Sequence, residues 1–84
     1  MNLDLKMELD KYISKNVTIS ISGFFKTNYL LNNFNYFIKA DILNMKDEEN
    51  KNYSEINLNQ VYNIQAEDKK IVLFLDNDII INIY

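Results

Sequence analysis

The chain of 84 residues carries a net charge of −3 at pH 7 and is long enough for one small domain with a thin hydrophobic core. It contains no cysteine and no histidine, which excludes disulfides, the usual zinc sites and the commonest general base of enzymes. The single glycine excludes the glycine-rich loops that bind phosphates. We therefore predict one domain over residues 1–84, with no cofactor and no metal.

The N-terminal segment is predicted to be a helix. One set of its apolar residues alternates as in a strand, but Leu5, Leu9 and Tyr12 follow helical spacing. Residues with high helix propensity dominate, and Asn2 can cap the first turn. The balance predicts a helix over residues 3–14.

The next segments alternate with the period of a β-strand. Val17, Ile19 and Ile21 form one apolar face, and Gly23 is predicted to mark a bulge or a turn after them. A second strand is predicted over residues 34–43, with its apolar residues on one face and most of its polar residues on the other.

The chain then passes through a charged segment, residues 45–55, which predicts a solvated connection such as a long hairpin loop. Alternation resumes over residues 56–64, where a bulge or short turn near Asn59 and Gln60 would correct a break in phase. Residues 66–70 predict a further turn.

The C-terminal run IVLFLDNDIIINIY predicts two strands joined by a tight turn at residues 76–78. The first of these strands is apolar on both faces, which is typical of the middle of a structure, whereas a last strand easily becomes a sheet edge. Two arrangements satisfy both conditions. Either the sheet closes, with the last strand pairing back to the first and the helix covering the second face, or two copies pair through their last strands.

The predicted fold is therefore mainly β (α+β), with one N-terminal helix followed by about five antiparallel strands over residues 16–84, in a small curled sheet. This order resembles the helix-then-five-strand arrangement of Sm-like and SH3-like small barrels. The resemblance lies in the order of the elements over most of the chain and not in a sequence motif.

Catalysis is not predicted. Asp76 and Asp78 could ligate a divalent cation, but the other residues of a calcium-binding loop are missing, and the pair suits a hairpin turn. Without histidine or cysteine, the chain also lacks the usual activated nucleophiles. We predict that the protein is not an enzyme.

The aromatic residues indicate a partner-binding patch. Six of eleven fall between residues 24 and 37. Because neighbouring residues of a strand point to opposite faces, they cannot all enter one core, so some lie under the helix, exposed, or in an interface. An acidic rim beside them would suit a basic partner. The predicted partner-binding residues are Phe24, Phe25, Tyr29, Tyr36, Phe37, Asp47, Glu48 and Glu49.

The functional hypothesis is a small acidic protein that binds a larger host protein stoichiometrically. The preference for residues with A/T-rich codons indicates a low-GC bacterium or its phage, and suggests an inhibitor of host defence, comparable to anti-CRISPR proteins. The partner could itself bind nucleic acid, but direct binding by this chain is disfavoured by its net charge and by the absence of arginine.

The alternative hypothesis is an Sm-like or SH3-like module that binds nucleic acid or scaffolds a phage or cellular assembly. A cytoplasmic location is expected, because the N-terminal residues do not form a secretory signal and no apolar run is long enough for a membrane helix. A homodimer is left open.

Overall fold

The computed structural model describes residues 5–47 and 52–84. The described residues form one short helix and eight strands, rather than the five strands predicted. In chain order they are α1 (Leu5–Asp10), β1 (Val17–Ser22), β2 (Thr27–Leu31), β3 (Asn35–Lys39), β4 (Ile42–Lys46), β5 (Tyr53–Asn57), β6 (Val61–Glu67), β7 (Lys70–Leu75) and β8 (Ile79–Ile83).

The strands form two antiparallel sheets. The larger has the order β2-β1-β8-β7-β6, and the smaller has the order β3-β4-β5. The mainly β fold class is thus confirmed, but the described strands do not close into a barrel, because β2 and β6 remain the edges of the larger sheet.

The helix ends earlier than predicted, at Asp10 instead of residue 14. After Asp10 the chain continues in turns whose N–H groups donate to carbonyls three residues back, for example Tyr12 to Leu9 at 3.0 Å. Ser14 then adopts a left-handed conformation with φ of 68°, which ends the helical path. The predicted start at residue 3 lies outside the described residues.

The segment predicted as one strand over residues 34–43 is a hairpin. Ala40 and Asp41 both have positive φ, 52° and 63°, as a two-residue type I′ turn requires, and they separate β3 from β4. Ala-Asp is not a common sequence for this turn, so the alternation of apolar residues concealed it. The strand β2 was also missing from the prediction.

The charged connection is narrower than predicted. Lys46 and Tyr53 pair as strand residues, and Met45 is fully buried, so the ends of the predicted connection over residues 45–55 belong to strands. The predicted phase correction before β6 is confirmed, since a 3-10 turn at Leu58–Gln60 precedes a register shift between Val61 and Asn63.

The last strand lies inside the larger sheet. β8 pairs with β1 on one side and with β7 on the other, so the predicted pairing of last strand to first is confirmed. Because both sides of β8 are occupied, it offers no edge to a second copy. The tight turn at residues 76–78 is present, and Asn77 and Asp78 have positive φ there.

One hydrophobic core joins the two sheets and the helix. It includes Leu5 and Leu9 from α1, Ile19 and Leu73 from the larger sheet, and Leu43 from the smaller one. Within the described part of the chain, no helix has the length and apolar character that a bilayer crossing requires.

Candidate partner-binding surfaces

The turn between β1 and β2 presents two exposed phenylalanines. Phe24 is 101% exposed and Phe25 is 71% exposed, and their rings meet edge to face at a centroid distance of 6.2 Å. Gly23 sets the start of the turn, because a Cβ there would lie 3.2 Å from Cγ1 of Ile79. The turn thus begins close to the β7–β8 corner, and its next two side chains lie exposed.

Tyr36 and Phe37 lie on opposite faces of β3. The Tyr36 hydroxyl donates towards the Lys6 carbonyl and the Asp10 carboxylate of α1, and so ties the helix to the smaller sheet. Phe37 is 47% exposed on the outer face, where the Lys46 ammonium lies 5.5 Å from its ring centroid, within cation–π range.

Tyr29 does not belong to an exposed patch. It pairs with Ile19 in the register of β1 and β2 and packs against the core. Its hydroxyl is buried beside that of Ser54, at a geometry short of a full hydrogen bond. Burial raises the pKa of Tyr29, and the nearby Ser54 hydroxyl opposes this increase.

The structure describes one of the three acidic residues predicted to form a rim. Asp47 is buried, so its carboxylate is not displayed to a partner. Glu48 and Glu49 lie outside the described residues. The predicted patch is therefore divided: Phe24 and Phe25 contact each other on one turn, and Tyr36 and Phe37 share β3.

A groove beside β3 was missing from the sequence prediction. It has a volume of about 520 Å³, and its lining comprises three residues of the helical region and three of the strand: Lys6, Asp10, Ile13, Tyr36, Phe37 and Ile38. Ile13 is exposed here instead of completing the helical apolar stripe, because the helix ends before it. No sequence signal marks this juxtaposition.

A second set of aromatics was also missed. Tyr62 is exposed at the bulge of β6 and lies 6.3 Å from the ring of Phe74 on β7, and Tyr84 is exposed after β8. Tyr62 follows the phase break that the sequence did reveal, so its outward position could have been inferred from the bulge.

Within residues 5–47 and 52–84, no three or more side chains of the types that ligate metals cluster together. Asp76 and Asp78 lie in the 3-10 turn between β7 and β8. Comparisons with protein-family models, curated proteins and solved structures gave no match, so the candidate surfaces rest on geometry and chemistry alone.

Proposed function

We propose that this chain is a small non-catalytic protein that binds a larger protein through the Phe24–Phe25 turn. The observation that supports the proposal is the exposure of both rings at the tip of a turn. Burying one phenylalanine side chain contributes about 1.5–3 kcal/mol, and aromatic residues dominate the energetics of protein interfaces. A single-domain chain of 84 residues would act stoichiometrically by occupying a surface of its partner.

The alternative, an Sm-like or SH3-like module for nucleic acid, is favoured by one feature of the smaller sheet. Its outer face carries Phe37 on β3, Lys46 on β4 and Tyr53 on β5, and stacking aromatics with lysines are typical of single-strand binding. Two features oppose nucleic-acid binding, because both repel phosphates: Glu55 lies on the same face, and the chain has a net charge of −3.

The proposal is tested by capture of partners from a low-GC bacterial lysate, with and without nuclease. The double variant F24S/F25S is compared with Y62S, a matched control that removes an exposed aromatic from β6. We expect a protein that is retained after nuclease treatment, lost with F24S/F25S and kept with Y62S, while circular dichroism stays unchanged in both variants.

Loss of the captured protein after nuclease treatment would instead support the nucleic-acid module. Equal capture by F24S/F25S and the parent chain would refute the role of the turn. Inhibition of a host defence system stays a prediction from composition.

A further inference from the structure

The edge of β3 has backbone groups that face away from its own sheet. Among the described strands, β3 is at the end of the smaller sheet and pairs with β4 alone. Lys39 and Ile42 flank the two-residue turn and form its closing pair. In such a hairpin the closing pair is hydrogen-bonded, and hydrogen-bonded and non-hydrogen-bonded pairs then alternate. The next pair, Ile38 with Leu43, is therefore not hydrogen-bonded, and the N–H and C=O of Ile38 point to the open edge. No backbone hydrogen bond from Ile38 to another strand is formed within residues 5–47 and 52–84.

The groove described above runs along this edge. Tyr36 and Ile38 point to one face of β3 and Phe37 to the other, so a groove lined by all three follows the strand's backbone. Its opposite wall comes from Lys6, Asp10 and Ile13. The hydrogen bonds from Tyr36 to α1 hold this wall in place, which preorganises the groove and lowers the entropic cost of binding.

We infer that the β3 edge and its groove bind an extended acidic peptide of a partner protein as an added fourth strand. An extended chain is the occupant that can pair with the outward groups of Ile38 and place alternate side chains against Ile13 and Phe37. This inference rests on the proposed function, since it names how a protein partner is held.

Charge favours an acidic segment. Lys6 lines the groove, Lys39 ends β3, and Lys46 lies over Phe37. Neither Lys6 nor Lys39 forms an ion pair within the described residues. The nearby acids are Asp10, which accepts a hydrogen bond from Tyr36, and Asp41 in the turn. Glu55 is on the outer face of the smaller sheet but two strands away from this edge, and Asp47 is buried. The lysines without an ion pair thus belong to the groove and to β3 itself, which directs the choice of partner.

The probe is a capped eight-residue peptide of alternating valine and glutamate. Its binding is measured at millimolar peptide from changes in the amide chemical shifts of the ¹⁵N-labelled chain. A peptide of alternating valine and lysine tests charge, and an oligodeoxythymidine tests nucleic acid. We expect shifts concentrated at residues 35–39, with the Ile38 amide protected from hydrogen exchange, and weaker shifts with the lysine peptide.

The decisive variant is Ile38→Pro, which removes the outward N–H and is tolerated at an edge. Its matched control is Ala66→Pro, because Ala66 holds the same position in the β6–β7 hairpin, one residue before the closing pair, on the other open edge. We expect I38P to weaken binding of the acidic peptide at least about fivefold, because it removes one backbone hydrogen bond and changes an apolar side chain that lines the groove. We expect A66P to leave the binding unchanged.

If I38P does not fold, the variant Lys6→Glu is used in its place. We expect it to bind the glutamate peptide more weakly and the lysine peptide more strongly than the parent chain does. Shifts at residues 61–67, equal binding of both peptides, or an oligonucleotide response that exceeds the peptide response would each overturn the inference. The peptide assay does not involve the Phe24–Phe25 turn. Failure of the proposed function in lysate capture is therefore distinguishable from failure at β3.

Discussion

The C-terminal strand offers the sharpest test of the fold. Ile83 is 0% exposed and lies between Ile19 on β1 and Ile71 on β7 in the register of the larger sheet. Replacing it by alanine removes three methyl or methylene carbons from a fully packed site, at a cost of about 2–5 kcal/mol. A domain of this size has a total stability of about 4–12 kcal/mol. Ile83→Ala is therefore expected to leave the protein marginally stable.

The measurement is urea unfolding followed by far-ultraviolet circular dichroism, with Ile80→Ala as the control. Ile80 is in the same strand but points to the other face, where it is half-buried, so its loss should cost clearly less. We expect a lower midpoint for I83A with an unchanged slope, because the same surface is exposed on unfolding. Equal losses for the two variants would refute the assignment of the core face of β8.

Three further predictions concern single side chains. Phe24→Ser should change the free energy of unfolding by less than about 0.5 kcal/mol, whereas Phe34→Ala should lower it by about 3–5 kcal/mol. The reason is that, of these two residues, Phe34 is buried and Phe24 is exposed. Similar melting temperatures for the two variants would contradict this. Tyr36→Phe should lower stability by about 0.5–1.5 kcal/mol and speed hydrogen exchange at Leu9, and unchanged exchange would show that the hydroxyl does not hold the helix. Burial raises the pKa of Tyr29 above 10.0 in the folded chain, so the folded state keeps its proton more tightly and stability should fall as pH rises above about 10. Urea unfolding from pH 8 to 11 should show a smaller fall for Tyr29→Phe, and identical pH profiles would contradict that cause.

The sequence predicts best where one physical signal dominates. Strict alternation located β1, and the apolar run with Asp76-Asn77-Asp78 located β7, β8 and their turn. The phase break near Gln60 located the bulge of β6 because a one-residue shift moves every later side chain to the other face. These elements are determined by short-range pattern and by turn chemistry.

The remaining errors arise where tertiary contacts decide. The turn at Ala40-Asp41 has left-handed residues without a glycine or asparagine to signal them, so its existence depends on the pairing of β3 with β4. Tyr29 and Asp47 are expected in a binding surface, and the structure places Tyr29 partly buried against the core and Asp47 buried. Their burial depends on which sheet covers which, and a single sequence does not contain that information.

The described strands leave four sheet edges, β2, β6, β3 and β5, which differ in how readily each can pair with a second copy. The edges of β2 and β5 approach each other, since the Asn52 amide donates to the Leu30 carbonyl at 3.5 Å and Tyr29 reaches Ser54. The edge of β6 carries a bulge, a device that discourages pairing with another chain. The edge of β3 is therefore the best suited to receive a strand. Because Lys6 lines the groove and Lys39 ends β3, two copies joined at this edge would bring like charges together, and this repulsion favours an acidic partner over a homodimer.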